Sequence, residues 1–313
     1  MNDLISVIVP VFNKEQSVGK ALLSLKEQTY HNLQVIVIDD GSTDCSSTII
    51  NKICSEDDRF QSYYQNNLGV SAARNLGLQK VDGKYVSFLD ADDFLEPDYI
   101  ERLYKHHEFP LVATGFTQIG EKSKVVPADN RLVDENEIEH FVFKKTNFRY
   151  MCVVWAKLFQ YSYIKENGLK FDESTSIGED SIFLIQYLKA CKKMYVLDIK
   201  GYNNVVSQGT LSRGNIQNFW NANQKLIRIV QDSFQVSYNE TWAFLYLRGI
   251  KILLGNNIKD YSGFRDTFKS LKSKVDTKKL SFNLLKDRTD KVIFVLIKLN
   301  CSLTLYFLLK TLS

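Results

Sequence analysis

The 313 residues suffice for one large domain with an annex, or for two domains. A hydrophobic fraction of 44% fills a real core, and 24% charged residues is close to the soluble average, which argues against a disordered chain and an integral membrane protein. The net charge of +4 conceals a split: residues 248–313 carry 14 Lys and Arg against 5 Asp and Glu, a surplus of +9, so residues 1–247 carry −5.

In chain order, the apolar run "LISVIVPVF" (4–12) reads as a first strand rather than a signal peptide, because it stops at Pro10. "SVGKALLSLKEQT" (17–29) has helical spacing, and "LQVIVIDDGS" (33–42) is a second strand ending in two aspartates. "DCSSTIINKICSE" then predicts a helix, "FQSYYQ" a short strand, "GVSAARNLGLQKV" a helix and "KYVSFLDADD" another strand. Such β-α-β alternation with short connections implies a parallel sheet covered by helices on both faces, where ligands bind at the carboxyl ends of the strands. Three strands end in polar chemistry: Pro10 to Asn13, Asp39 to Ser42, and Asp90 to Asp93. From about 94 to 215 the pattern is mixed, with an irregular stretch near Lys122 to Arg131 and a helix at "EDSIFLIQYLKACKK". Beyond Asn218 it turns helical and basic, which sets a domain boundary near 215.

The five cysteines (Cys45, Cys54, Cys152, Cys191 and Cys301) include no C-x-x-C pair, so zinc knuckles and redox pairs are not expected and a reducing, cytosolic home is. The four histidines lack metal-ligand spacing.

"FLDADDFLEPDYI" (88–100) sets Asp90, Asp92 and Asp93 at the end of an apolar strand. Buried carboxylates repel one another and lose hydration, and a divalent cation is the commonest compensation. Oxygen-only ligands point to a hard ion such as Mg²⁺ or Mn²⁺. The plainer alternative is a cap on the following helix, for which Asp93 is best placed. In "DDGSTD" (39–44), Asp40 is suited to hydrogen-bond a base or ribose, while Ser42 or Thr43 caps the next helix. "NNLGVSAARNLGL" (66–78) puts Arg74 and Asn75 on a short helix, where the arginine either faces a nucleotide or is a solvated surface charge. "SIGEDSIF" (176–183) sets Glu179 and Asp180 before an apolar helix, as N-terminal capping charge or as a general base.

These segments, with "SVIVPVFNKE" and "VWAKLF", resemble family 2 glycosyltransferases of the GT-A fold, which build bacterial surface polysaccharides, in order and spacing from residue 5 to about 213. The resemblance implies a Rossmann-like, mostly parallel α/β sheet with flanking helices, its nucleotide-sugar half at 1–93 and its acceptor half at 94–215, followed by a helical C-terminal region. It implies inverting transfer of a hexose or N-acetylhexosamine from a UDP-sugar to a hydroxyl of a glycan or lipid-linked glycan, with Mn²⁺ or Mg²⁺ as cofactor. By position, Pro10 and Phe12 would line the uracil and ribose site, with Asn13, Glu15 and Ala91 in the same nucleotide-sugar set. Asp40 would bind uracil, Arg74 would close over the nucleotide, and Asp90 would meet the ribose or the metal's water shell. Asp92 would hold the metal and Asp180 would be the base, leaving Trp155, Lys157, Glu179 and Arg213 on the acceptor or diphosphate side.

Two departures stand out. Phe12 replaces the usual tyrosine, and in "GYNNVVSQGTLSRG" (201–214) Asn204 and Val205 replace the common aromatic or histidine and arginine, so that Ser212 and Arg213 are left as substitutes for diphosphate contacts. The altered loop motivates a rival reading, a catalytically inactive sugar-nucleotide-binding scaffold for a partner transferase.

In the tail, "DKVIFVLIKLNCSLTLYFLLKTL" (290–312) is apolar but interrupted by Lys298 and Asn300, which argues against a spanning helix. An interfacial helix with basic flanks, or one packed on a partner subunit, fits better. The expectation is a cytoplasmic enzyme held on the inner face of the cell membrane by contact with its anionic surface. Nucleic acid is not an expected partner, because no helix-turn-helix or zinc signature accompanies the charge. Assembly into a homo-oligomer is left open.

Overall fold

The computed structural model describes residues 2–175, 178–206, 216–236, 239–255, 260–274, 282–285 and 287–312. The chain divides into two compact units, Met1–Thr210 and Leu211–Ser313.

The first unit begins β1 (Ile5–Val11), α1 (Val18–Lys26), β2 (Leu33–Asp39), α2 (Ser46–Glu56), β3 (Phe60–Tyr64), α3 (Val70–Leu78) and β4 (Tyr85–Phe88). This is the alternation expected from the sequence. Every residue of β1, β2 and β4 is buried, as continuous apolar runs between two helical layers should be. There follow β5 (Phe94–Leu95), α4 (Tyr99–Tyr104), β6 (Leu111–Thr114), β7 (Phe116–Ile119), β8 (Lys124–Val126), β9 (Arg131–Asp134), α5 (Ile138–Phe143) and α6 (Phe148–Met151). The unit continues with β10 (Lys157–Gln160), α7 (Tyr161–Glu166), α8 (Glu179–Cys191), β11 (Lys193–Leu197) and β12 (Tyr202–Val205). The stretch read as irregular thus contains a strand, β8. The strand expected to reach Asp93 stops at Phe88, which leaves the aspartates in the turn beyond it.

An eight-stranded sheet runs β3-β2-β1-β4-β10-β6-β11-β9, and a four-stranded sheet runs β5-β12-β7-β8. β1 pairs in parallel with β2 as far as Val11 with Asp39, but with β4 only as far as Ile8 with Phe88. The last bond on the β4 side is Leu89 N–H to the Ile8 carbonyl at 3.0 Å. Past that point β1 has no partner on this side, so a crevice opens at the carboxyl ends of the strands. Pro10 lies two residues beyond Ile8, and by the period of a strand its position that lacks an N–H faces the same open side. The proline therefore costs the ladder nothing.

The second unit contains α9 (Ile216–Phe234), α10 (Glu240–Gly255), α11 (Tyr261–Lys274), α12 (Arg288–Lys298) and α13 (Ser302–Leu312). Its core includes Trp242, Leu245, Ile250 and Leu254 of α10 with Ile293 and Phe294 of α12 and Leu305 of α13. The apolar run 290–312 is not one helix: it breaks between α12 and α13, where Asn300 takes a left-handed φ of 61°. No described helix is long and apolar enough to cross a membrane.

The close seating of α3 on β1 depends on Gly77, since a Cβ there would lie 2.5 Å from Cγ2 of Ile8. Gly77→Val is expected to destabilise the first unit by about 2 kcal/mol through overpacking, measured by chemical denaturation. A loss below about 0.5 kcal/mol would show that the helix can shift freely on the sheet.

Candidate active site

The crevice between β1 and β4 is walled by side chains from α3, the β4 turn and the start of α8. Arg74 on α3 is 3% exposed. Its Nη1 donates to Asp180 Oδ1 at 2.7 Å and to Glu179 Oε1 at 3.4 Å, and its Nη2 donates to Asp90 Oδ1 at 3.0 Å. The alternative of a solvated surface arginine is thereby removed. Burial opposes its charge, but Asp180, Asp90 and Glu179 outweigh that and raise its pKa. Burial also lifts the Asp180 carboxyl to about 6 against the pull of Arg74, and lifts Asp90 in the same way. Asp180 lies in the first turn of α8 and also receives the Val154 N–H at 3.4 Å. Asn75, next to Arg74, donates to the Phe171 carbonyl at 2.9 Å and to Glu173 at 2.8 Å, which ties α3 to the segment leading towards α8.

In the turn after β4, ligand oxygens of Asp90, Asp92 and Asp93 lie within 4.8 Å of one another. The three aspartates do different things. Asp92 is partly exposed and paired with Lys14 Nζ at 2.6 Å, a neighbour that sequence reading did not single out although it lies in the β1 loop. Asp93 is not the helix cap expected of it, because β5 and Pro97 intervene before α4 begins at Tyr99. It is 1% exposed and accepts from Tyr202 Oη at 2.8 Å, Val205 N at 2.8 Å and Asn204 Nδ2 at 3.2 Å. Burial and the nearby Asp90 push its carboxyl up to about 7. Asn204 and Val205, which looked like departures in a ligand loop, thus clamp the aspartate turn to β12. Ala91, between Asp90 and Asp92, is buried.

The β1 and β2 loops are laced together. Asn13, at a left-handed φ of 52°, accepts the Thr43 N–H at 2.8 Å, and Glu15 accepts the Cys45 N–H at 3.0 Å. The side chains of Asn13 and Glu15 therefore brace this wall. Asp40 is buried and holds the turn before α3 by accepting from Gln65, Leu68 N and Gly69 N at 2.7, 2.7 and 2.9 Å. Phe12, by contrast, stands 41% exposed at the end of β1.

Trp155 is buried, stacked on Tyr202 at 4.7 Å and edge-on to Phe116 at 4.7 Å. Lys157 is fully buried, donating to the Tyr150 carbonyl at 2.7 Å, and burial lowers its pKa to about 7. It anchors the loop whose Val154 N–H reaches Asp180. Arg213 and Ser212 lie outside the described residues.

The family model described as glycosyl transferase family 2 matches residues 6–163. Among curated proteins, the glycosyltransferase GlyA of Streptococcus pneumoniae is 31% identical over 68% of this chain and 32% of its own length. The uncharacterized glycosyltransferase EpsJ of Bacillus subtilis is 29% identical over 63% of this chain and 60% of its own length. The chain thus spans less than two thirds of these relatives. Among solved structures, S. aureus TarS 1–349 in complex with UDP-GlcNAc superposes with a TM-score of 0.73 at 16% identity, covering 98% of this chain and 90% of that one. Mannosyltransferase PcManGT of Pyrobaculum calidifontis, in complex with GDP-Man and Mn²⁺, gives 0.58 at 14% identity over 99% of this chain and 85% of that one. These structural likenesses establish a shared GT-A fold.

Asp93→Ala is expected to cost about 3 kcal/mol, because the buried Tyr202 hydroxyl and the part-buried donors of Asn204 and Val205 lose their acceptor. In Asp93→Asn the titration is absent. A carboxyl raised from 3.8 to about 7 favours the folded state while protonated, so wild type should gain stability over the asparagine variant as pH falls through about 7. Denaturation across that range checks the sign.

Proposed function

The chain belongs to glycosyl transferase family 2, and from that premise we propose that it moves a hexose or N-acetylhexosamine from a UDP-sugar to a hydroxyl of a glycan or lipid-linked glycan. The transfer inverts the anomeric centre, depends on Mn²⁺ or Mg²⁺, and serves cell-surface polysaccharide or glycoconjugate synthesis. The observation that carries this reading is the Arg74 junction, which joins the base candidate Asp180 to Asp90 through one guanidinium. The UDP-GlcNAc complex of TarS and the Mn²⁺ complex of PcManGT support the choice of donor and ion by likeness of fold.

The donor set fits a hard cation, since it offers only carboxylate oxygens. Asp93 has its oxygens engaged by Tyr202, Asn204 and Val205, so Asp92 would hold the ion in place of its pairing with Lys14, with Asp90 beside it. When bound, the ion supplies positive charge against the leaving diphosphate. Residues 1–93 hold the nucleotide sugar, with Phe12 presenting an aromatic face at the mouth of the crevice, and residues 94–215 receive the acceptor. Arg74 keeps Asp180 ionised and oriented. Asp180 takes the acceptor proton as the acceptor oxygen bonds to the anomeric carbon, and the bond to the diphosphate breaks with its electron pair on the leaving oxygen. Attack from the face opposite the diphosphate needs one base and no covalent nucleophile. The work is placed in the cytoplasm or at the inner face of the cell membrane, where a lipid-linked acceptor would meet a nucleotide sugar.

A donor screen reading UDP release tests the reading, with a UDP-sugar turned over in the presence of Mn²⁺ expected. Binding of UDP with Mn²⁺ but neither transfer nor hydrolysis of any UDP-sugar would favour the inactive scaffold. Asp180→Asn should lower kcat by about 100-fold or more, and Asp92→Ala should abolish stimulation by Mn²⁺. If either variant transfers at the wild-type rate, the role given to that residue is wrong. Because Asp180 must be ionised to act, kcat/KM should fall about tenfold per unit as pH drops below its pKa of about 6 in the free protein.

A further inference from the structure

The second unit turns an apolar stripe outwards. On α12 and its C-cap, Arg288, Val292, Val295 and Leu299 recur at helical spacing on the face opposite the buried Ile293 and Ile297. Leu299 is 66% exposed, and the exposed positions continue into α13 with Leu303 and Phe307, the latter 57% exposed. Phe282 belongs to the same patch, since the Lys291 ammonium lies 5.1 Å from its ring centroid.

On α12 and α13 the exposed charge of the described residues is one-sided. Arg288, Lys298 and Lys310 are exposed and Lys291 is half-buried. The acids of α12 are turned to other tasks: Asp287 caps the helix by accepting from Thr289 N at 2.8 Å, and Asp290 is buried against Lys251 at 2.7 Å. Large exposed apolar side chains rimmed by cations, with the anions of α12 withdrawn, match a surface that is apolar below and negative above. A bilayer with anionic headgroups is that surface. A second copy of the chain is the poorer match, because pairing the stripe with itself would set two basic rims against each other. Neither helix can insert across the bilayer, since 11 residues span about 16 Å against a hydrocarbon core of about 30 Å.

We propose that α12 and α13 form an in-plane docking face for anionic lipid, with Val292, Val295, Leu299, Leu303 and Phe307 entering the headgroup boundary. Arg288, Lys291, Lys298 and Lys310 meet the phosphates. The long basic side chains lay their stems along the apolar surface and keep their charge at its edge. The face is a property of the second unit and does not depend on the transferase reading.

Flotation of the full chain tests the proposal, using vesicles of phosphatidylcholine alone and vesicles with roughly one third phosphatidylglycerol. Wild type should float with the anionic vesicles at low salt, about tenfold less with neutral ones, and less again as salt rises. Val295→Asp with Phe307→Asp, and separately Lys291→Glu with Lys298→Glu, should each reduce bound protein about tenfold while UDP binding and circular dichroism stay unchanged. Wild type remaining unbound, floating equally with neutral vesicles, or floating undiminished with either double variant would overturn the proposal. So would a dimer, seen by light scattering in a wild type that does not float, that Val295→Asp with Phe307→Asp dissolves, because the face would then belong to a second copy.

Discussion

A guanidinium sunk among three carboxylates holds the first unit together. Arg74 reaches Asp90 from the β4 turn and Glu179 and Asp180 from the start of α8, segments separated by about a hundred residues of chain. Any one of these charges would be expensive to bury by itself, and removing one partner strands the others. The contact therefore fixes α3, the aspartate turn and α8 against one another, and it fixes them at the crevice where β1 and β4 part. The position of the base candidate relative to the nucleotide side follows from this one junction.

The same economy of charge explains why three neighbouring aspartates do not compete. Asp90 faces Arg74, Asp92 faces Lys14, and Asp93 is satisfied by a phenol, an amide side chain and a backbone N–H from β12. Each has a different counter-group: Asp90 and Asp92 are both partly exposed, Asp90 paired with the buried Arg74 and Asp92 with the partly exposed Lys14. The clamp by β12 is what makes the turn rigid enough to offer that carboxylate in a fixed place, with Trp155 stacked behind Tyr202 as its backing. The acidic run is therefore one buried anchor, Asp93, beside two partly exposed carboxylates.

Much of this was legible residue by residue where the chain reports its own neighbours. The apolar runs of β1, β2 and β4 and the helical spacing between them gave the alternating order, because strand and helix periods are local. The aspartates at strand ends marked the crevice, because buried charge must have a reason. Asp93 was misread because a cap is a local explanation, and its true partners lie some 110 residues further on, at Tyr202 to Val205. Asn204 and Val205 looked like losses from a ligand loop for the same reason. Lys14 was passed over because a lysine in a loop carries no signal until the fold brings Asp92 to it.

The tail shows the division most clearly. Composition alone established a basic, apolar C-terminal region, and the lysine in the middle of 290–312 was enough to argue against a spanning helix, since the cost of that charge in hydrocarbon is independent of fold. Whether the run was one helix or two, and which side chains faced outwards, depended on the break at Asn300 and on the packing of Ile293, Phe294 and Leu305 into the unit's core. Sequence thus determined the elements, the family and the candidate chemistry, all of which are written in local pattern and residue type. Tertiary structure decided which charges meet, which aspartate is clamped and which apolar face stays exposed, because pairing and burial depend on distance in space.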